Sequence, residues 1–341
     1  MKILYIGAES ANWVVNLCDE LSKLGHEITV VTQSLDEYDK DNTLDIKNVD
    51  RINLPFQDFI HEQTLYNKIN DLLKFKDYDL IFGSHAPVAP PIVKAGKENN
   101  IKTCIMLLDI PTDLIKLDPN RYNQWKHWFE YLVDADQVMF NTYVARDEYN
   151  KFTNIQNDDD SVIVYGTDML KEYDGVNIGK DLDNSVVTIC RLAKTKNCTL
   201  VPEAIKYYEG MLYKAIGRNS GELPRIANLC EKHDVPFKHF NMLTEKDKYE
   251  ELSKSGIMLY PQNSEYIGGL SPFEAMFVGV PCIVPDYKIY KDLYGEHVFY
   301  FKNNDAESLS YIIDYVRNMD KEDLTERLIK ANKFVKTEAT F

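Results

Sequence analysis

Met1 to Thr32, MKILYIGAESANWVVNLCDELSKLGHEITVVT, reads as strand, helix and strand in close succession. Ile3 to Ile6 is a continuous apolar run, as a strand buried on both faces requires, and it ends at Gly7. Val14, Leu17, Leu21 and Leu24 then recur at helical spacing. Gly25 stands where a helix closes through a left-handed residue, and His26 to Thr32 is the second strand. Such a unit builds a parallel sheet covered by helices on both faces.

The rhythm continues along the chain. Strands are expected at Tyr78–Phe82, Thr103–Leu108, Gln137–Asn141 and Val162–Val164, with a helix over Pro91–Asn99. Tyr122, Trp125, Phe129 and Val133 stripe another helix, widened by Trp128 and Leu132. After the acidic run Asp158–Asp160, read as a solvated loop, the pattern lapses into polar, Gly-containing sequence from about Thr167 to Asn184. It restarts with strands at Val186–Cys190, Met211–Ile216, Val235–Phe240, Ile257–Tyr260 and Pro281–Val284. Helices lie between them at Thr199–Tyr208, Leu223–Lys232, Lys246–Ser253 and Pro272–Val278. The expectation is an α/β chain of two Rossmann-like domains, 1–168 and 169–341, with parallel sheets facing a central cleft. A chain of 341 residues exceeds one ordinary core, which agrees with two domains.

Composition narrows the function classes. A formal net charge of −15 disfavours nucleic acid as a partner, because neutralising phosphates takes an excess of Lys and Arg. It also disfavours broad adhesion to an anionic membrane. Cys18, Cys104, Cys190, Cys198, Cys230 and Cys282 form no C-x-x-C pair and most sit in apolar runs, so free thiols in a reducing compartment are expected. The N-terminus enters a strand at once, without a signal-peptide pattern, and no stretch approaches roughly 18 apolar residues. A cytoplasmic location is the expectation. Peripheral membrane contact through Trp125 and Trp128, with Arg121 and Lys126 nearby, is possible but not favoured, since their spacing is that of a core-facing helix.

Two Rossmann-like halves raise the question of which nucleotide chemistry they serve. The loop Gly7-Ala-Glu-Ser-Ala-Asn12 lacks the second and third glycines of a dinucleotide fingerprint, and no P-loop occurs. The seven histidines have no metal-ligand spacing. Gly217 opens the Gly-rich turn Gly217–Gly221 after a strand and is a candidate donor-binding residue, a weak signal alone.

Two segments of the second half say more. Thr188–Asn197 carries Arg191 and then Lys196 just past the end of a buried strand, where α/β folds bind ligands. An enzyme expelling a nucleoside diphosphate without a metal needs such cations to stabilise the departing charge. The competing reading makes both ordinary solvated cations. The second segment runs from Tyr260 to Met276. Gly268 and Gly269 permit close backbone approach to a ligand, and Pro272 opens a helix whose free N–H groups attract an anion. Glu274 and Glu265 are placed to accept sugar hydroxyls. Otherwise the first is a carboxylate favoured by the helix dipole, and the second a surface residue. His85 follows a strand end and is either an acceptor-side polar group or a hydrogen-bonded loop histidine.

Quoted together, these segments resemble the family 4 retaining glycosyltransferases (glycosyl transferases group 1), which have the two-domain GT-B fold. Cys190-Arg191-Leu192…Lys196-Asn197 keeps the Arg and Lys of the family's Gly-Arg-Leu-x-x-x-Lys-Gly segment but neither flanking glycine. Gly269-Leu270-Ser271-Pro272-Phe273-Glu274-Ala275-Met276, followed by Gly279-Val280-Pro281, is similar to its glutamate motif. Leu24-Gly25-His26-Glu27 and Gly166-Thr167-Asp168 echo other family segments.

The resemblance implies that Glu274 contacts the donor's ribose. It implies that Gly268, Gly269, Leu270 and Ser271 contact sugar and phosphates, and that Gly7 lies beneath the diphosphate. It further implies an acceptor-side domain over 1–168 and a nucleotide-sugar domain over 169–341.

Three departures stand out. Eight residues, not seven, separate Glu265 from Glu274. Leu108 replaces a histidine that would contact the donor sugar, which leaves Asp109 or His85 to substitute. The chain ends at Phe341, where family members continue into a helix that crosses back onto the first domain.

The resulting expectation is a retaining hexosyltransferase with a nucleoside-diphosphate sugar as donor. Its acceptor would be the hydroxyl of a glycan, a lipid-linked molecule or a small molecule, and it would need no cofactor or metal. The alternatives are a GT-B nucleotide-sugar epimerase and a nucleotide-sugar-binding protein without transferase activity.

Overall fold

The opening unit stands as read: β1 (Lys2–Gly7), α1 (Asn12–Lys23) and β2 (Glu27–Gln33). β1 is buried from Ile3 to Gly7. α1 ends in the expected turn. Gly25 has φ +84°, the His26 amide donates to Leu21 at 3.0 Å, and the Gly25 amide donates to Ser22 at 2.9 Å. Leu24 departs from the expected stripe: it is 72% exposed, because the chain has already left the helix there.

The computed structural model describes residues 1–7, 12–33, 49–108, 119–158, 161–162, 175–241, 243–263 and 269–337. It divides into two compact units, Met1–Tyr165 and Gly166–Thr340. The expected boundary after residue 168, the Gly166–Asp168 echo and most of the strand at Val162–Val164 lie outside the described residues, leaving only a bridge from Phe140 to Val162.

In the first unit, β3 (Val49–Leu54), α2 (Phe56–Ile60), α3 (Glu62–Phe75), β4 (Leu80–Ser84) and α4 (Ala89–Asn99) follow β2. Then come β5 (Lys102–Leu107), α5 (Tyr122–Leu132), β6 (Gln137–Phe140) and α6 (Tyr143–Thr153). The six parallel strands lie in the order β3-β2-β1-β4-β5-β6.

The buried face of α5 is Trp125, Phe129 and Leu132, while Tyr122 and Val133 are each 46% exposed. Trp125 stacks on Phe129 at 6.1 Å and meets Trp128 edge-on at 4.7 Å. Trp125 is therefore a core residue, as its spacing predicts.

The second unit repeats the plan with β7 (Ser185–Ile189), α7 (Leu200–Ile205), β8 (Leu212–Ile216), α8 (Leu223–Lys232), β9 (Phe237–Phe240) and α9 (Glu245–Ser253). It continues through β10 (Ile257–Leu259), α10 (Ser271–Val278), β11 (Cys282–Pro285), α11 (Lys288–Tyr294), β12 (Phe299–Phe301), α12 (Ala306–Arg317) and α13 (Lys321–Thr337). Its strands run β9-β8-β7-β10-β11-β12, also parallel.

Numbered within each unit, both orders are 3-2-1-4-5-6, the Rossmann arrangement. Ligands of such sheets bind beyond the carboxyl ends of the strands, where the order reverses. That point falls between β1 and β4 in one unit and between β7 and β10 in the other.

α10 anchors the second switch point. Pro272 to Val278 are all buried, Phe273 meets Tyr294 edge-on at 4.9 Å, and Asn332 of α13 donates to the Phe277 carbonyl. All six cysteines are free. Five are buried, and the half-buried Cys190 has its Sγ 3.4 Å from that of Cys198. Among the described residues no helix is long and apolar enough to cross a membrane.

Candidate active site

The segment after β7 is held by its neighbour strand. The Cys190 amide donates to Ile216 at 3.0 Å and the Leu192 amide to Arg218 at 2.8 Å. The Ser220 and Glu222 amides donate back to the Leu192 carbonyl at 3.1 and 3.2 Å. Leu192 is fully buried, so the chain is pinned on either side of Arg191 while the Arg191 side chain stays exposed. No ion pair or side-chain hydrogen bond to Arg191 occurs among the described residues.

Gly217 explains the tightness of this junction. Its φ is +138°, and a Cβ there would lie 2.1 Å from the Cys190 carbonyl oxygen. Glycine at 217 therefore serves the close approach of two strand ends.

A 3-10 turn, Lys194–Lys196, carries the chain to a left-handed Asn197 with φ 51°. Lys196 is half-buried. Its Nζ donates to the Gln262 side-chain oxygen and sits 5.8 Å from the centre of the Tyr260 ring. The Tyr260 hydroxyl donates to the same Gln262 oxygen at 2.7 Å.

Burial pushes the Lys196 pKa below its ordinary value; the nearby Cys190 thiol opposes this, and the Arg191 charge adds to it. Among the described residues no carboxylate pairs with either this half-desolvated ammonium or the neighbouring guanidinium, an arrangement suited to an anion.

The chain after β10 closes the same corner. The Asn263 amide donates to the Thr195 carbonyl at 3.3 Å, and the Ser271 hydroxyl donates to the Ile189 carbonyl at 2.8 Å. The entrance of α10 is thereby tied to the end of β7, next to Arg191. Leu270 is its N-cap, and Pro272 occupies its first turn. At Gly269 a Cβ would lie 2.5 Å from the Tyr260 hydroxyl oxygen, and the Tyr294 hydroxyl donates to the Gly269 carbonyl at 2.7 Å.

Glu274 is 4% exposed. Its Oε1 accepts from Lys248 Nζ at 2.9 Å and from the Tyr249 hydroxyl at 3.3 Å.

In the first unit, Gly7 and His85 stand at the switch point of the other sheet. Gly7 is opposite Thr32 and Ser84, and a Cβ on it would lie 2.8 Å from the Tyr5 ring and 3.0 Å from Ser84 Oγ. Tyr5 donates to Ser84 at 2.9 Å beneath it. His85 is half-buried, with φ 71° and ψ 149°, a conformation that side-chain-bearing residues rarely adopt, and its amide donates to Met106 at 3.0 Å. Leu108 is 3% exposed and belongs to the core.

Thus Arg191, Lys196, Gly217, Gly269, Leu270, Ser271 and Glu274 gather in one unit, and Gly7 and His85 in the other. Asp109, Glu265 and Gly268 lie outside the described residues. Gln262, Lys248 and Tyr249 were not singled out by motif. They reach the site from the segment after β10 and from α9, and their spacing to Lys196 and Glu274 carries no local signal.

Comparison with known proteins fits this geometry. The model for glycosyl transferases group 1 matches residues 174–334, and that for glycosyltransferase family 4 matches residues 10–169. No curated protein sequence matches the chain.

Among solved structures, sucrose-phosphate synthase from Thermosynechococcus elongatus superposes with a TM-score of 0.81 at 13% identity, covering 100% of this chain and 95% of that one. HepE from Anabaena, in complexes with UDP and with UDP-glucose, has a TM-score of 0.75 at 13% identity, covering 100% and 96%. A putative UDP-N-acetylglucosamine 2-epimerase from Listeria monocytogenes gives 0.66 at 16% identity, covering 98% and 93%. At such identities the likeness is one of fold, and the fold is GT-B. The two family models lie end to end over nearly the whole length of the protein, and on that ground the chain belongs to the family 4, group 1 glycosyltransferases.

Proposed function

We propose that the protein transfers a hexose from a nucleoside-diphosphate sugar to a hydroxyl acceptor, with retention of anomeric configuration and without a metal ion. The observation that carries this reading is the junction of β7 with α10. Arg191 and a half-desolvated Lys196 stand there beside a helix entrance, and a buried Glu274 lies in the first helical turn. Arg191 and Lys196 hold the diphosphate, Glu274 accepts from the ribose hydroxyls, and the Gly269–Ser271 backbone lies against phosphate and sugar. HepE, of the same fold, binds UDP and UDP-glucose, which makes uridine nucleotides the first probe and guanosine nucleotides the second.

In the reaction, the bond between the anomeric carbon and the phosphate oxygen breaks first. The acceptor oxygen attacks from the face the diphosphate is leaving, and its proton passes to the departing phosphate oxygen. The two cations stabilise the charge that grows on that phosphate, and no enzymic nucleophile is required. His85 is assigned to the acceptor side, as is the unit that carries it, and Asp109 or His85 to the donor-sugar contact that Leu108 cannot make.

The test is incubation with UDP- and GDP-hexoses in EDTA across glycan, lipid-linked and small-molecule acceptors, with products read by mass spectrometry and NMR. Transfer with the donor's anomeric configuration kept is the expected result. Isomerisation of the sugar without an acceptor would assign an epimerase instead. A folded protein that binds donor but neither transfers nor hydrolyses it would be a binding protein.

A further inference from the structure

Glu274 is an unusual residue to bury. A carboxylate removed from water is costly unless it is paired and its oxygens are satisfied. Here every partner falls on one oxygen. Lys248 Nζ donates to Oε1 at 2.9 Å and the Tyr249 hydroxyl to the same atom at 3.3 Å, both from α9. Oε2 is also buried, and among the described residues it has no partner.

Lys248 is itself largely buried, its side chain 12% exposed. It is held over the Tyr249 ring at 4.6 Å and bonded to Glu245 at 2.8 Å. Burial works against its charge, but the Glu274 and Glu245 carboxylates more than offset that and raise its pKa, so it is a cation at neutral pH.

We propose that Lys248 is a positioning residue. By gripping Oε1 it fixes the Glu274 carboxylate with Oε2 presented as the acceptor for a nucleotide's ribose hydroxyls, and so sets the site's preference for a ribose over a deoxyribose. The proposal rests on the reading of Glu274 as the ribose acceptor.

The geometry accounts for the asymmetry. A carboxylate oxygen left unbonded in a buried position carries a desolvation penalty that a donor hydroxyl removes. Without Lys248 the carboxylate would, among the described residues, be buried with no counter-charge and with only the Tyr249 hydroxyl to fix its orientation. Neither the nucleobase nor the phosphates would notice the change.

The experiment measures dissociation constants of UDP and GDP, and of their 2′,3′-dideoxy counterparts, on the full-length protein. For whichever base binds, the wild type is expected to prefer the ribonucleotide by about tenfold or more, as hydrogen bonds to a charged acceptor predict. In Lys248→Met the ribonucleotide is expected to weaken to the level of the dideoxy form, whose own affinity stays put. Lys248→Arg should restore most of the preference. A purely structural ion pair would instead lower the melting temperature and weaken both nucleotides alike, and that outcome overturns the proposal.

A preference unchanged in Lys248→Met also overturns it. If Lys248→Met does not fold, Lys248→Leu, which removes donor and charge alike, gives the same readout. Glu274→Gln separates the two layers. Loss of the preference there but not in Lys248→Met defeats the positioning role alone. A preference kept in Glu274→Gln defeats the ribose reading and this proposal with it.

Discussion

Arg191 and Lys196 sit five positions apart on one short segment, yet their environments differ, and so do the predictions they support. The Arg191 side chain is exposed and makes no hydrogen bond or ion pair among the described residues, so removing it should leave the fold intact. Arg191→Ala is expected to lower kcat/KM by about 100- to 1000-fold, as loss of one donor to a charged transition state does, with the melting temperature nearly unchanged. Wild-type turnover in that variant would remove Arg191 from the mechanism.

Lys196 makes a pH prediction. Its pKa lies below the ordinary lysine value of 10.5, chiefly because it is buried. In the proposed function the diphosphate binds the charged form. Nucleotide affinity should therefore be full near neutrality and fall as pH rises through that lowered value, at a lower pH than an exposed lysine would give. Lys196→Arg should move the alkaline limb outward. A titration of affinity against pH showing no limb below 10.5 would contradict the assignment.

At the scale of elements, Gly217 is where sequence and packing meet most tightly. A Cβ there would collide with the Cys190 carbonyl, a backbone atom that cannot rotate away, and φ is +138°. Gly217→Ala is expected to cost about 1–3 kcal/mol, a fall of several degrees in melting temperature by calorimetry. An unchanged transition would mean the strand ends are looser than they stand.

Much at this scale was legible beforehand. Gly25 closes α1 where a left-handed residue was expected, and α8 occupies the Leu223–Lys232 span that the periodicity marked. What was missed has physical reasons. β3 is an edge strand in which Asp50, Arg51 and Asn53 break the apolar pattern. Leu24 and Val133 look apolar in a helical stripe, but they fall beyond the last turn and face water. Within the candidate site, the placement of the Arg191–Lys196 segment after a strand and of Glu274 in a first helical turn could be read from motif because strand end and helix start are local events. The partners of Glu274 could not, because Lys248 arrives from another helix, 26 positions earlier in the chain.

For the molecule as a whole, two sheets of identical strand order give two switch points, and the residues with the strongest electrostatic signature lie at the second. The overall charge of −15 bears on partners. Sedimentation with anionic phospholipid vesicles at low salt should leave the protein in the supernatant, because a surface of this sign is repelled. Retention on the vesicles that salt reverses would reveal a basic patch that the total conceals.

The central claim is that the unit around β7 and α10 holds a nucleoside diphosphate through Arg191 and Lys196. Its most direct test is the melting temperature of the wild type and of Arg191→Ala with UDP, GDP and their sugars, in EDTA. A ligand at 100 times its dissociation constant stabilises the folded state by about 2.7 kcal/mol, a readily measured shift. The account predicts a rise with one nucleotide series in the wild type and its loss in Arg191→Ala. No rise with either series on folded protein, or an equal rise in the variant, would contradict it.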